Sequence, residues 1–146
     1  MSPVKLLEFL RSHRLAVQAS VSAVREPQAA IVGFAVSDRF EIVFDTLGST
    51  RKADNLRRNP RIALVIGGWA AGDERTVQYE GEADEPVGAE HARITEIYYS
   101  AYPDGRERAK WPGLTYFRVK PAWVRYSDYN QNPPEVVEFN AGDLIL

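Results

Sequence analysis

Residues able to do chemistry gather in one short stretch, Ser49-Thr50-Arg51-Lys52, which follows the apolar run Phe40 to Phe44 and the link Asp45-Thr46-Leu47-Gly48. Ser or Thr is a good helix N-cap and Asn59-Pro60 a common helix end. The spacing therefore predicts a strand end, a tight loop, and a short helix that starts at Ser49 or Thr50 and stops before Pro60. Arg51 and Lys52 are out of place for a helix alone, because cations near its already positive N-terminus cost a few tenths to ~1 kcal/mol. Hydroxyls, free backbone N–H groups and two cations at one helix start make a site for an anion, phosphate above all. The plainer reading of the same residues is a slightly unfavourable surface turn with two solvated side chains.

No other constellation competes. The two histidines, His13 and His91, lie far apart, and neither sits in a metalloprotease-like or triad-like setting. His13 reads as a helix-terminal histidine favoured by the macrodipole, and His91 as a packed, hydrogen-bonded one. Carboxylates are scattered over polar faces. The absence of cysteine excludes disulfides, thiolate metal sites and cysteine nucleophiles, and it favours the cytoplasm. Gly67, Gly68 and Gly72 lack the spacing of a dinucleotide or P-loop fingerprint. No catalytic residue and no metal ligand is assigned, so any chemistry would come from a bound cofactor.

Composition sets the frame. With 146 residues, 45% hydrophobic and 26% charged, the chain is expected to form one soluble domain over 1–146 with a real core. A net charge of -2 argues against a dedicated nucleic-acid binder. No apolar run approaches the ~20 residues of a membrane span. Met1-Ser2-Pro3-Val4-Lys5 does not read as a signal peptide, and a cytoplasmic protein is expected.

The elements that must position the site follow from periodicity. Ser2-Pro3 opens an amphipathic helix carrying Val4, Leu7 and Leu10, which ends near His13. Leu15, Val17, Ala19 and Val21 alternate with Ala16, Gln18 and Ser20, the period of a half-buried strand. Arg25-Glu26-Pro27 reads as a turn. Ala29 to Val36 is apolar on both faces and is expected to be a central strand, with something packed close to Gly33. Ser37-Asp38 then suits a hairpin loop before the alternating run from Phe40. Arg61 to Ile66 is another buried strand, and tight turns between neighbours imply an antiparallel meander. Val77 and Tyr79 share one face of a strand from Glu74 to Ala83. Pro86 opens a second helix with Ile94, Ile97, Tyr98 and Ala101 at core spacing. Leu114 to Tyr126 is a long strand broken or bulged at Pro121, and Val136 to Phe139 suits a short edge strand. About six or seven antiparallel strands with two or three helices make a mainly β (α+β) chain. A small barrel with helices over its openings leaves few free edges.

The helix, the first strand, the buried Ala30-Ile31-Val32 run, Phe44-Asp45-Thr46 and Arg51-Lys52…Asn55-Leu56…Asn59-Pro60, in this order, resemble the pyridoxamine 5'-phosphate oxidase-like FMN-binding split barrel family. The tail Tyr116 to Tyr126 resembles the closing strand of its small stress-protein-like members. The resemblance implies a six- to seven-stranded antiparallel split β-barrel with flanking helices. It implies FMN as cofactor, with Thr50, Arg51 and Lys52 on its phosphate, Ala30, Ile31 and Val32 on one side of the flavin, and Asp45 and Thr46 on the other. Thr76 matches a polar position that hydrogen-bonds the ring. A homodimer with flavin at the interface is expected, with Trp111, Trp123 and Tyr126 as candidate partner-chain aromatics; core or interface packing is the plainer reading of each.

The departures are as telling. Where the true oxidases carry an Arg and, five residues on, a Lys, this chain has Ala30 and Ala35, and it lacks their Arg- and His-bearing C-terminal segment. The expectation is an FMN-binding oxidoreductase of a small molecule, not a pyridoxamine phosphate oxidase. A non-catalytic flavin-binding stress or sensor protein and a deazaflavin-dependent reductase are the alternatives. A haem protein would need a well-placed axial histidine.

Overall fold

The elements of the computed structural model, which describes residues 1–146, run α1 (Pro3–Arg11), β1 (Leu15–Val21), β2 (Pro27–Gly33), β3 (Ala35–Val36), β4 (Ile42–Leu47), α2 (Arg51–Arg58), β5 (Arg61–Gly67), β6 (Arg75–Asp84), α3 (Gly88–Ala101), α4 (Gly105–Arg108), β7 (Leu114–Asp128) and β8 (Glu135–Asn140). Eight strands form one antiparallel sheet in the order β2-β1-β5-β6-β7-β4-β3, with β8 added to β7.

The long strand β7 makes the sheet curl. Its first part, Leu114–Val119, pairs with β4, joined by β6 only at Arg118 and Val119, and its second, from Trp123, lies between β6 and β8. The change falls at the bulge expected near Pro121: Gly81 faces Pro121 and Glu80 faces Trp123, which leaves Ala122 unmatched. A Cβ at Gly81 would lie 2.2 Å from the Lys120 carbonyl oxygen, so this close approach requires glycine. The curl brings the end strand β2 near β4 without a ladder between them. That seam is the split of a split barrel.

Two expectations change. Ala29 to Val36 is not one central strand: it breaks at Phe34 into β2 and β3, which stand at opposite ends of the sheet. The break raises the strand count to eight. It also explains the doubly apolar pattern, since β3 is buried on both sides whereas Ile31 of the edge strand β2 is 67% exposed. The meander gives way to longer-range pairing, β5 with β1 and β4 with β7. The alternation of β1 holds, but its polar phase points inward: Gln18 and Ser20 are buried while Leu15 is half exposed.

Phe40, Phe44, Leu64, Ile66 and Phe117 fill the barrel, each worth about 1.5–3 kcal/mol of burial. Leu6 and Leu10 of α1 belong to the same cluster. Helix α3 packs outside, where Ile94 and Tyr98 meet Ala35, Val43 and Tyr116. No helix is long and apolar enough to cross a membrane.

Candidate functional site

Helix α2 starts at Arg51 because Thr50 caps it. Thr50 is extended, its hydroxyl accepts from Ala53 N at 3.4 Å, and it lies 2.9 Å from the Leu47 carbonyl. Ser49 is left exposed outside the helix. Asn55 fixes the helix to the barrel: it is buried, and its Nδ2 donates to Ser20 Oγ at 3.1 Å and Gln28 Oε1 at 2.7 Å on the β1–β2 hairpin. The inward polar phase of β1 thus serves α2.

That anchoring sets the first turn of α2 against two strands. Lys52 Nζ donates to Thr46 Oγ1 at 3.1 Å, and Thr46 Oγ1 lies 3.1 Å from Thr50 Oγ1. The Arg51 guanidinium faces the Gln28 amide, whose oxygen either accepts from Asn55 Nδ2 or, turned to Arg51, accepts from Nε at 3.2 Å, but not both. Both cations border a cleft of ≈ 360 Å³ whose other lining includes Gln18, Ser20, Gln28 and Ala30. Gln18 is 1% exposed, and its Oε1 has no hydrogen-bond partner. A buried amide oxygen left open costs about 1–3 kcal/mol unless something donates to it.

Of the residues expected at the site, Ala30, Thr46, Thr50, Arg51 and Lys52 come together here. Val32 points inward on β2 beside Ala30, opposite Ala16. Ile31 points to the outer face, opposite Val17. The Asp45 side chain faces away from Thr46: it accepts from Tyr98 Oη at 2.9 Å and from Arg108 Nε at 3.1 Å. Burial and then the Asp45 charge push the Tyr98 hydroxyl above its ordinary range. Asp45 therefore does not line the cleft. Thr76 lies on β6, paired with Gly67 and Ser127, outside the lining of this cleft. Ala35 packs under α3. Tyr126 is core, edge-on to Phe9 at 5.4 Å, while Trp111 is exposed.

The histidines stay clear of the cleft. His13 Nδ1 lies 2.8 Å from the Phe9 carbonyl, as a helix-end histidine does. His91 is exposed and edge-on to Tyr116 at 5.7 Å; it packs there without a side-chain hydrogen bond. Gln18, Ser20, Gln28 and Asn55 are the site residues that periodicity missed. Their signal was the pair of polar side chains at alternate positions of an otherwise apolar strand, which periodicity alone assigns to either face.

The sequence pattern of the pyridoxamine 5'-phosphate oxidase family matches residues 3–128. The chain belongs to this family. No curated protein sequence matches it. Among solved structures, a heme binding protein from Mycobacterium smegmatis superposes with a TM-score of 0.84 at 15% identity over 99% of this chain and 60% of its own. The chain thus spans less than two thirds of that relative's length. General Stress Protein 26 from Bacillus anthracis gives 0.70 at 18% identity, covering 94% and 98%. A pyridoxamine 5'-phosphate oxidase-related, FMN binding protein from Nostoc punctiforme gives 0.70 at 14%, covering 94% and 87%. At these identities the likeness is one of fold.

Proposed function

We propose that this member of the family binds FMN, with the phosphate at the start of α2 and the flavin along the β2–β4 seam, and serves as an oxidoreductase of a small molecule. The observation that carries the reading is the Arg51–Lys52 cleft. Two cations without carboxylate partners and a capped helix N-terminus border one space, and Gln18, whose buried oxygen has no partner, is part of its lining. The cations and helix N–H groups suit a phosphate. The Gln18 oxygen suits a donating hydroxyl, which a phosphate alone does not offer but a ribityl chain does. Bound FMN would supply hydride or electron transfer. The chain's own residues would hold and orient it and exclude water; no acid or base lines the cleft, and Asp45 is engaged by Arg108.

The homodimer belongs to the same proposal. Ile31, Val17 and Val65 form one row on the outer face of β2, β1 and β5, with Leu15 beside it. Ile31, Leu15 and Val65 are 67%, 50% and 40% exposed, an apolar strip suited to a second copy. Heme, named for the mycobacterial relative, calls for an axial ligand, and neither histidine lines the cleft. Mass spectrometry of the chromophore released from the purified protein tests the reading. FMN supports it; heme or a deazaflavin overturns it. Sustained oxidation of a reduced nicotinamide with an added acceptor supports turnover, and bound flavin that no such donor reduces leaves a binding protein only.

A further inference from the structure

A second recess, ≈ 500 Å³, opens between the end of α1, the segment Phe34–Val36 and the last turn of α3. It shares no lining residue with the Arg51–Lys52 cleft. Leu10, Phe34, Val36 and Ile97 give it apolar walls, Arg11, Arg14 and His13, the last bonded to the Phe9 carbonyl, line it too, and no Asp or Glu does. Arg11 is paired with Asp38, which lies outside the recess. Arg14 meets no carboxylate: its guanidinium lies over the Tyr102 ring, 4.3 Å from the centroid.

The platform under that cation is fixed from several sides. The Arg14 carbonyl accepts from Phe34 N at 3.1 Å and from the Tyr102 hydroxyl. The Tyr102 ring stacks on Tyr98 at 4.9 Å. Gly33 makes room for it, since a Cβ there would come within 2.9 Å of the Tyr102 oxygen. The recess therefore offers one held, uncompensated guanidinium beside apolar walls of a size that takes a one- or two-ring molecule.

We propose that this recess binds a small flat organic anion of the aromatic carboxylate class, with its ring against Phe34 and Ile97 and its carboxylate on Arg14. A planar guanidinium stacked on an aromatic face retains donors in its plane for a carboxylate, and the fork geometry favours that group over a neutral amide. Apolar walls supply burial, and the lack of acidic lining leaves the attraction unopposed. Phe34 follows Ala30 by four residues, about 13 Å along an extended chain. The recess and the phosphate cleft thus meet one short segment of chain without sharing a lining residue.

Calorimetric titration of the full chain with naphthoate, and with the neutral naphthamide as control, tests this directly. Naphthoate is expected to bind with a Kd of roughly 10–500 μM, and naphthamide at least about tenfold more weakly. Arg14→Gln removes the preference for the anion, and Ala101→Phe, which fills the recess, removes binding of both. The Arg51→Ala/Lys52→Ala variant binds naphthoate as the parent does, which separates this site from the phosphate cleft. Absence of naphthoate binding up to about 5 mM, equal binding of the amide, an unchanged Arg14→Gln variant, or loss of binding in the Arg51→Ala/Lys52→Ala variant each overturns the proposal. Should Ala101→Phe fail to fold by circular dichroism, the amide comparison and Arg14→Gln still decide.

Discussion

Lys52 Nζ lies 3.1 Å from Thr46 Oγ1, which ties the first turn of α2 to the last residues of β4. Through Thr46 the contact reaches Thr50, the helix cap, so strand end, cap and cation form one hydrogen-bonded group. A cation that would weaken an isolated helix start is held there by a strand hydroxyl, at the mouth of a cleft suited to an anion.

Thr50 can be tested for its two roles separately. Asp is as good an N-cap as Thr, so Thr50→Asp should leave stability within about 0.5 kcal/mol, whereas Thr50→Ala should cost about 1 kcal/mol. The carboxylate would repel a phosphate, so Thr50→Asp should lose FMN binding while Thr50→Ala retains most of it. Urea unfolding and flavin titration of both variants give the comparison. Full FMN affinity in Thr50→Asp would contradict the site.

Gln18 should show a trade between stability and binding. Its open, buried oxygen costs the ligand-free protein about 1–3 kcal/mol, so Gln18→Leu is expected to match or exceed the parent in unfolding free energy. Affinity for FMN should fall about tenfold with the lost hydrogen bond. A variant that loses stability while binding flavin normally would assign Gln18 to the core instead.

The fold was largely legible in sequence, and the site only in part. The cap at Thr50, the bulge at Pro121 and the room at Gly33 each follow from local chemistry, and each appears where residue type demanded it. Phe34 was not legible as a break, because the turn is set by how the sheet closes and not by a Gly-Pro signal. Nor was the inward direction of Gln18 and Ser20: a period of two fixes alternation but not which phase is buried, and here Asn55, far along the chain, decides it. Asp45 was placed beside the flavin by resemblance, but its side chain is claimed by Tyr98 of α3 and by Arg108, whose place after α3 carries no sequence sign of that contact.

Acid should unfold the protein through Glu41. Burial acts to raise this carboxyl, but hydrogen bonds from Arg93 and Ser37 and the charges of Arg93 and Arg118 outweigh it and hold the group below its ordinary value. Its folded value thus lies below the unfolded one, so its stabilisation is complete above about pH 4.3 and is lost as pH falls through the folded value. Glu85 and Glu90, lowered chiefly by Arg57 and Arg93 respectively, act with the same sign. Urea midpoints should stay level from about pH 6 to 8 and drop below about pH 4. Glu41→Gln should cost about 3 kcal/mol at neutral pH, as a broken buried pair does, and flatten the acid limb.

The outer strip on β2, β1 and β5 should set the oligomeric state. Sedimentation is expected to give twice the 16.4 kDa chain mass for the parent. Ile31→Glu with Val65→Glu should give the monomer with its circular dichroism intact, because two like charges without partners are too costly to bury in an apolar interface. A monomeric parent that still binds flavin tightly would refute a flavin site at a subunit interface.

The central claim is that a phosphate docks on the start of α2, and flavin titrations with and without that phosphate test it most directly. The apoprotein should bind FMN at least about a hundredfold more tightly than riboflavin, the worth of two or so charge-assisted contacts, and Arg51→Ala/Lys52→Ala should bring the two affinities together while the fold persists. Equal binding of FMN and riboflavin by the parent, or an FMN affinity unchanged in the double variant, would contradict the account.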